Sequence, residues 1–180
     1  MCFVVPDLEA AMGDLSASAG VRWSEPKADR MGEWDFRIVF TSGGAPFIEL
    51  IEGPEGSPWD CGGRARFDHL GFWSESVTEA SAALSAAGIP EDFSGCPYGR
   101  PFAYHRVESL GARVELVDAS RQEGFLQAWD PGGAAMPVLP VPGASHTGSR
   151  PLGPGAPRPR ARGFTTGGGP GAGSARRRPR

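Results

Sequence analysis

Cys2-Phe3-Val4-Val5-Pro6-Asp7-Leu8-Glu9-Ala10-Ala11 returns, 69 positions later, as Gly71-Phe72-Trp73-Ser74-Glu75-Ser76-Val77-Thr78-Glu79-Ala80. Each stretch is a short apolar strand running into a helix start. In the first copy Asp7 is the N-cap and Leu8, Ala11, Met12 and Leu15 fall on one helical face. In the second, Ser76 with Glu79 three residues on forms a capping box, followed by Val77, Ala80, Leu84 and Ala87 on one face. Both helices stop at a glycine with a β-branched residue after it, Gly20-Val21 and Gly88-Ile89. The copies agree again at their far ends, where Phe47-Ile48-Glu49-Leu50-Ile51-Glu52 matches Arg113-Val114-Glu115-Leu116-Val117-Asp118 at a shift of 66. The strands before these, Phe36–Phe40 and Phe102–Arg106, keep that shift. The reading is α+β: two tandem βαβββ modules, residues 1–57 and 66–120, forming a curved mixed sheet around a cleft. The second strand of each copy carries the weakest signal.

Strand alternation sorts these residues by face. His69, Gly71 and Trp73 share one face of their strand, with Leu70 and Phe72 on the other. Glu49 shares a face with Phe47 and Ile51, and Glu115 with Arg113 and Val117. Their neighbours Ile48, Leu50, Val114 and Leu116 are left to pack under the helices. Each carboxylate therefore belongs to the concave side, where His69, Glu49 and Glu115 converge. Burying two glutamates in otherwise apolar strands is costly without a cation or a donor. Phe47, Trp73 and Arg113 are expected to line the same pocket, with His105 as a further contact from the neighbouring strand.

Composition bounds the rest. The chain has 180 residues, 39% of them hydrophobic, which suits one domain with a real core. It carries 18 basic and 21 acidic residues, but eight of the arginines fall at or after Arg150, and no Asp or Glu lies beyond residue 131. The folded part is thus acidic, which argues against nucleic acid as its partner. Residues 132–180 hold 12 Gly and 9 Pro and few large apolar side chains, so a disordered tail is expected from about residue 131. Three scattered cysteines with no CxxC spacing make no disulfide framework, and no stretch approaches a membrane span. A reducing, cytoplasmic location is the default.

Phe3-Val4-Val5-Pro6-Asp7-Leu8-Glu9-Ala10-Ala11-Met12, His69-Leu70-Gly71-Phe72 and Val114-Glu115-Leu116-Val117 resemble the vicinal oxygen chelate superfamily, which includes glyoxalases, methylmalonyl-CoA epimerases, extradiol dioxygenases and bleomycin-resistance proteins. The resemblance covers roughly residues 1–120 and lies nearest the glyoxalase/epimerase branch. It implies a divalent metal ion (Zn, Mn, Fe, Co, Ni or Mg) held by His69, Glu49 and Glu115, a set that also suits such an ion chemically. It implies a lyase or isomerase acting on a small carbonyl or vicinal-oxygen substrate, the metal stabilising an enolate and Glu49 or Glu115 moving the proton. The family's remaining histidine falls at the position before Met1, so an in-frame upstream His codon is expected. Two other readings stay open: a metal-free small-molecule binding protein or inactive homologue, and a ring-cleaving dioxygenase. The partners implied are a small molecule and, at most, a second copy of the chain, with no membrane.

Overall fold

The computed structural model describes residues 1–141. Module one contains β1 (Cys2–Val4), α1 (Leu8–Ala19), β2 (Lys27–Met31), β3 (Trp34–Phe40) and β4 (Glu49–Glu52). Module two contains β5 (Arg66–Ser74), α2 (Val77–Ala86), β6 (Glu91–Ser94), β7 (Phe102–Val107) and β8 (Ala112–Asp118). A third helix, α3 (Gln122–Trp129), and a two-residue strand, β9 (Val138–Leu139), follow. The main strands form one curved mixed sheet in the order β2-β3-β4-β1-β5-β8-β7-β6. The modules meet where β1 and β5 run antiparallel.

The repeat read from the sequence is reproduced in the strand register. β1 runs parallel to β4 with Cys2 opposite Glu49, and β5 runs parallel to β8 with Gly71 opposite Glu115. Both helices are capped as their sequences require. The Asp7 carboxylate accepts from the Ala10 amide at 2.8 Å, and the Ser76 hydroxyl accepts from the Glu79 amide at 3.3 Å. Gly20 ends α1 at φ 67°, a left-handed conformation that a side chain would strain. The weak strands β2 and β6 turn out to be the two edges of the sheet. An edge strand has one neighbour only, and the charges of Lys27-Ala28-Asp29-Arg30 and Glu91-Asp92 that blunt these edges also blur their alternation.

Helices cover the convex face. Leu8, with Val5, Val39 and Leu50, fills the space beneath α1, and Val77 and Ala80 of α2 pack on Ala103 and Leu116. On the concave side Cys2, Val4, Met31, Phe36, Ile51 and Trp59 form a third cluster. Trp59 comes from the connection between modules, and its indole donates to the Tyr104 hydroxyl at 3.1 Å, fastening module one's core to module two.

The packed chain runs past the boundary expected near residue 130. β9 takes the side of β5 that β1 leaves bare, with Val138 opposite Trp73 and Leu139 opposite Ser74. The Gln122 side chain donates to the Met136 carbonyl at 3.1 Å and accepts from the Met136 amide at 2.8 Å, tying the segment to α3. Composition misled here because a single side chain and two backbone pairings are enough to hold a Gly/Pro-rich stretch. The rest of the expected tail lies outside the described residues. A chain ending at Val141 should therefore melt several degrees above one ending at Asp130, as thermal denaturation followed by circular dichroism would show. Equal melting temperatures would mean that residues 131–141 contribute nothing to stability.

Candidate functional site

The site grows from an irregularity in β5. Cys2 pairs with His69 and Phe3 with Phe67, so Asp68 is an extra residue with no partner on β1. A bulge of this kind turns a side chain that simple alternation would send to the far face. Asp68 and His69, adjacent in sequence, are accordingly both buried, each 1% exposed, and in contact. The Asp68 carboxylate lies 2.8 Å from His69 Nδ1. It also accepts from Arg113 Nη2 at 2.5 and 2.7 Å and from Arg66 Nη1 at 2.5 Å. Burial opposes its charge, but the bond from His69 and the Arg113 guanidinium outweigh burial and hold its pKa down at about 2. Arg113 in turn lies over the Tyr104 ring, 4.3 Å from its centroid, and Tyr104 is 4.8 Å from the His69 ring.

Because an ionised carboxylate only accepts, His69 Nδ1 carries the hydrogen and Nε2 is left facing the cleft. Nε2 is buried and has no hydrogen-bond partner. One oxygen of Glu49 and one of Glu115 each lie 3.2 Å from it. Burial disfavours the charged imidazolium, while Glu115 and Asp68 favour it and leave the ring's proton affinity well above the ordinary value. Burial pushes the Glu49 carboxyl up and the neighbouring Glu115 adds to this, with His69 acting against them. The Sγ of Cys2, the Glu49 carboxylate and the His69 ring nitrogen fall within 4.8 Å of one another. Burial drives the Cys2 thiol far up, so it sits there as a neutral group.

An orphaned imidazole nitrogen between two carboxylate oxygens is the donor set of a divalent transition-metal ion, so these residues fit such an ion. The set opens onto a cavity of about 660 Å³. Glu49, Glu115, Phe47 and Trp73 line it, and Gly71 leaves the approach to Glu115 clear, since a Cβ there would stand 3.0 Å from Glu115 Oε2.

Two residues expected at the pocket are elsewhere. His105 is buried on the convex face, because alternation along β7 sends Tyr104 inward and His105 outward. There its Nδ1 donates to the Ile89 carbonyl at 2.9 Å and its Nε2 meets the Ser81 hydroxyl at 2.8 Å. Arg113 is on the concave side, as its strand position requires, but its charge is spent on Asp68, and it does not line the cavity. Asp68, Cys2 and Tyr104 were not singled out from sequence. Tyr104 could have been found from the alternation itself, and Cys2 from its match to Gly71. Asp68 is set by the bulge, which leaves no mark in the residue pattern. Phe125 and Trp129 of α3, which close one end of the cavity, lie outside both repeats.

Comparison with known proteins agrees with this architecture. Residues 1–107 match the model of the Glyoxalase/Bleomycin resistance protein/Dioxygenase superfamily, and the chain belongs to that family. Among solved structures, a hypothetical protein of Bacillus halodurans C-125 superposes with a TM-score of 0.51 at 18% identity, over 65% of this chain and 89% of the other. The likeness is one of fold. Methylmalonyl-CoA epimerase of Mycobacterium tuberculosis gives a TM-score of 0.49 at 18% identity, over 65% of this chain and 83% of that one. A Streptomyces coelicolor methylmalonyl-CoA epimerase variant in complex with 2-nitronate-propionyl-CoA gives 0.48 at 15%, over 65% and 92%. A mouse mitochondrial cardiolipin hydrolase is 32% identical over 91 residues, which is 51% of this chain but only 40% of that protein's length.

Asp68→Asn should destabilise the fold by about 3 kcal/mol at neutral pH, since it strips the buried Arg113 of its nearer counter-charge and leaves only Asp92, whose Oδ2 lies 3.4 Å from Arg113 Nη1. The carboxylate's contribution is complete above its unfolded pKa near 3.8 and is lost as pH falls through about 2. The gap between wild type and variant in urea unfolding should accordingly narrow as pH drops from 4 toward 2. A gap below about 1 kcal/mol at pH 7 would show that the buried pair does not hold the site together.

Proposed function

We propose that this protein is a metal-dependent isomerase or lyase acting on a small carbonyl or vicinal-oxygen compound. Its metal ion would be held by His69, Glu49 and Glu115. The observation that carries the reading is the buried, partnerless His69 Nε2 between the two glutamates. When bound, a divalent cation would supply Lewis-acid polarisation of a substrate oxygen. Asp68 keeps the imidazole turned with Nε2 toward the cleft and makes it the better donor. Glu49, whose affinity for a proton is raised, is the residue to take one from the carbon beside the carbonyl and hold it away from water. Return of that proton at another carbon, or on the opposite face of the same one, is isomerisation.

One observation favours a second reading, that of a metal-free binding protein. A protonated His69 would neutralise one of the glutamates, and the cavity walls are largely aromatic. We further propose a reducing, cytoplasmic setting, in keeping with three free thiols. No helix among the described residues is long and apolar enough to cross a membrane.

Metal analysis separates the two readings. Purified protein should take up about one equivalent of Zn, Mn, Co or Ni per chain, and His69→Ala or Glu115→Ala should each weaken that affinity by about tenfold or more. His146→Ala, outside the described residues, should change nothing. Equal uptake by all three variants would sink the assignment of these ligands, and no uptake by the unaltered protein would leave the binding-protein reading.

A further inference from the structure

We propose that Cys2 is a further donor to the cation at His69, so that the centre selects zinc, cobalt or nickel over manganese and magnesium. The inference rests on the metal reading above and narrows it, since it says which ions the site prefers.

Register places the thiol. Glu49, Cys2 and His69 stand side by side on three adjacent strands, Cys2 pairing with Glu49 of β4 on one side and with His69 of β5 on the other. Residues directly opposite one another present their side chains to the same face of a sheet, so all three reach the concave side. The twin module shows how far a side chain extends from this position. There Gly71 stands opposite Glu115, and a Cβ on Gly71 would lie 3.0 Å from Glu115 Oε2. Module two leaves that space to its carboxylate, whereas module one fills the equivalent space with sulfur. The Cys2 Sγ, an oxygen of Glu49 and a ring nitrogen of His69 accordingly fall within 4.8 Å of one another.

The surroundings set Cys2 apart from an ordinary core cysteine, which behaves as a small hydrophobe among apolar neighbours. It shares a cluster with Val4 and Ile51, yet its sulfur lies beside a carboxylate and an imidazole. That imidazole belongs to a side chain 1% exposed, and its Nε2 has no hydrogen-bond partner. The orphaned nitrogen asks for a cation independently of the thiol. A thiolate is a soft donor that favours zinc and its late neighbours, whereas carboxylates alone suit manganese or magnesium. As such an ion binds, the S–H bond breaks, the sulfur donates the electron pair to the cation, and the proton passes to the buffer. Cys61 and Cys96, the chain's other two cysteines, are not part of this group.

The test is a cobalt(II) titration of full-length protein stripped of metal with EDTA, followed by absorption spectroscopy. The bound ion should show visible d–d bands together with a sulfur-to-cobalt charge-transfer band in the near ultraviolet. Cys2→Ser should lose the charge-transfer band and keep the d–d bands. The double variant Cys61→Ser, Cys96→Ser should keep both, which assigns the band to Cys2 even if Cys2→Ser does not fold. Cys2→Ser should also weaken zinc binding about tenfold or more while leaving manganese binding within about twofold, a split that loss of packing would not produce. Cobalt bound without a charge-transfer band would overturn the inference alone and leave His69 and the glutamates as ligands. A band that survives in Cys2→Ser would overturn it as well, and no cobalt uptake at all would end both this inference and the metal reading.

Discussion

The Asp68 carboxylate is the fixed point of the site. Held by Arg113 and Arg66 and accepting from His69 Nδ1, it determines which nitrogen of the imidazole meets the cleft. Its charge survives complete burial because two guanidinium groups and one ring N–H surround it. Without it, His69 could turn or change tautomer, and the two glutamates would face each other across a gap with no defined donor. Arg113 joins this pair to Tyr104, and Tyr104 joins it to Trp59. The placing of His69 between the two glutamates thus rests on a chain of contacts running from the sheet floor to the connection between modules.

The architecture above that point follows from duplication. Two modules with the same register bring Glu49 and Glu115 to corresponding places on β4 and β8, and the antiparallel β1–β5 seam sets them on either side of His69. The two halves are not equal, however. Module two supplies His69 and keeps Gly71 small, while module one places Cys2 where Gly71 stands in its twin. The result is a lopsided centre with a buried thiol on one side and open access to Glu115 on the other.

Much of this was legible in the residues. The caps Asp7 and Ser76, the matched strand ends and the convergence of His69, Glu49 and Glu115 all follow from periodicity and repeat, because those patterns are local and each copy checks the other. What escaped belongs to features that a pattern does not encode. A bulge moves Asp68 without changing the alternation of its neighbours, and α3 has no counterpart in module one to flag it. His105 was misplaced by a single step of alternation along β7, where Tyr104 takes the inner position. The stretch after Asp130 looked unable to fold because its composition is poor, yet Gln122 and the open side of β5 give it a place to attach.

The account turns on whether a cation belongs at His69 Nε2. A crystal of the full-length protein soaked in a manganese or zinc salt, with data collected at that metal's absorption edge, addresses this directly. The account predicts one strong anomalous peak at about 2.0–2.2 Å from His69 Nε2 and from an oxygen of each of Glu49 and Glu115. A map with no peak there, in which Nε2 instead donates a hydrogen bond to one of the glutamates, would contradict it.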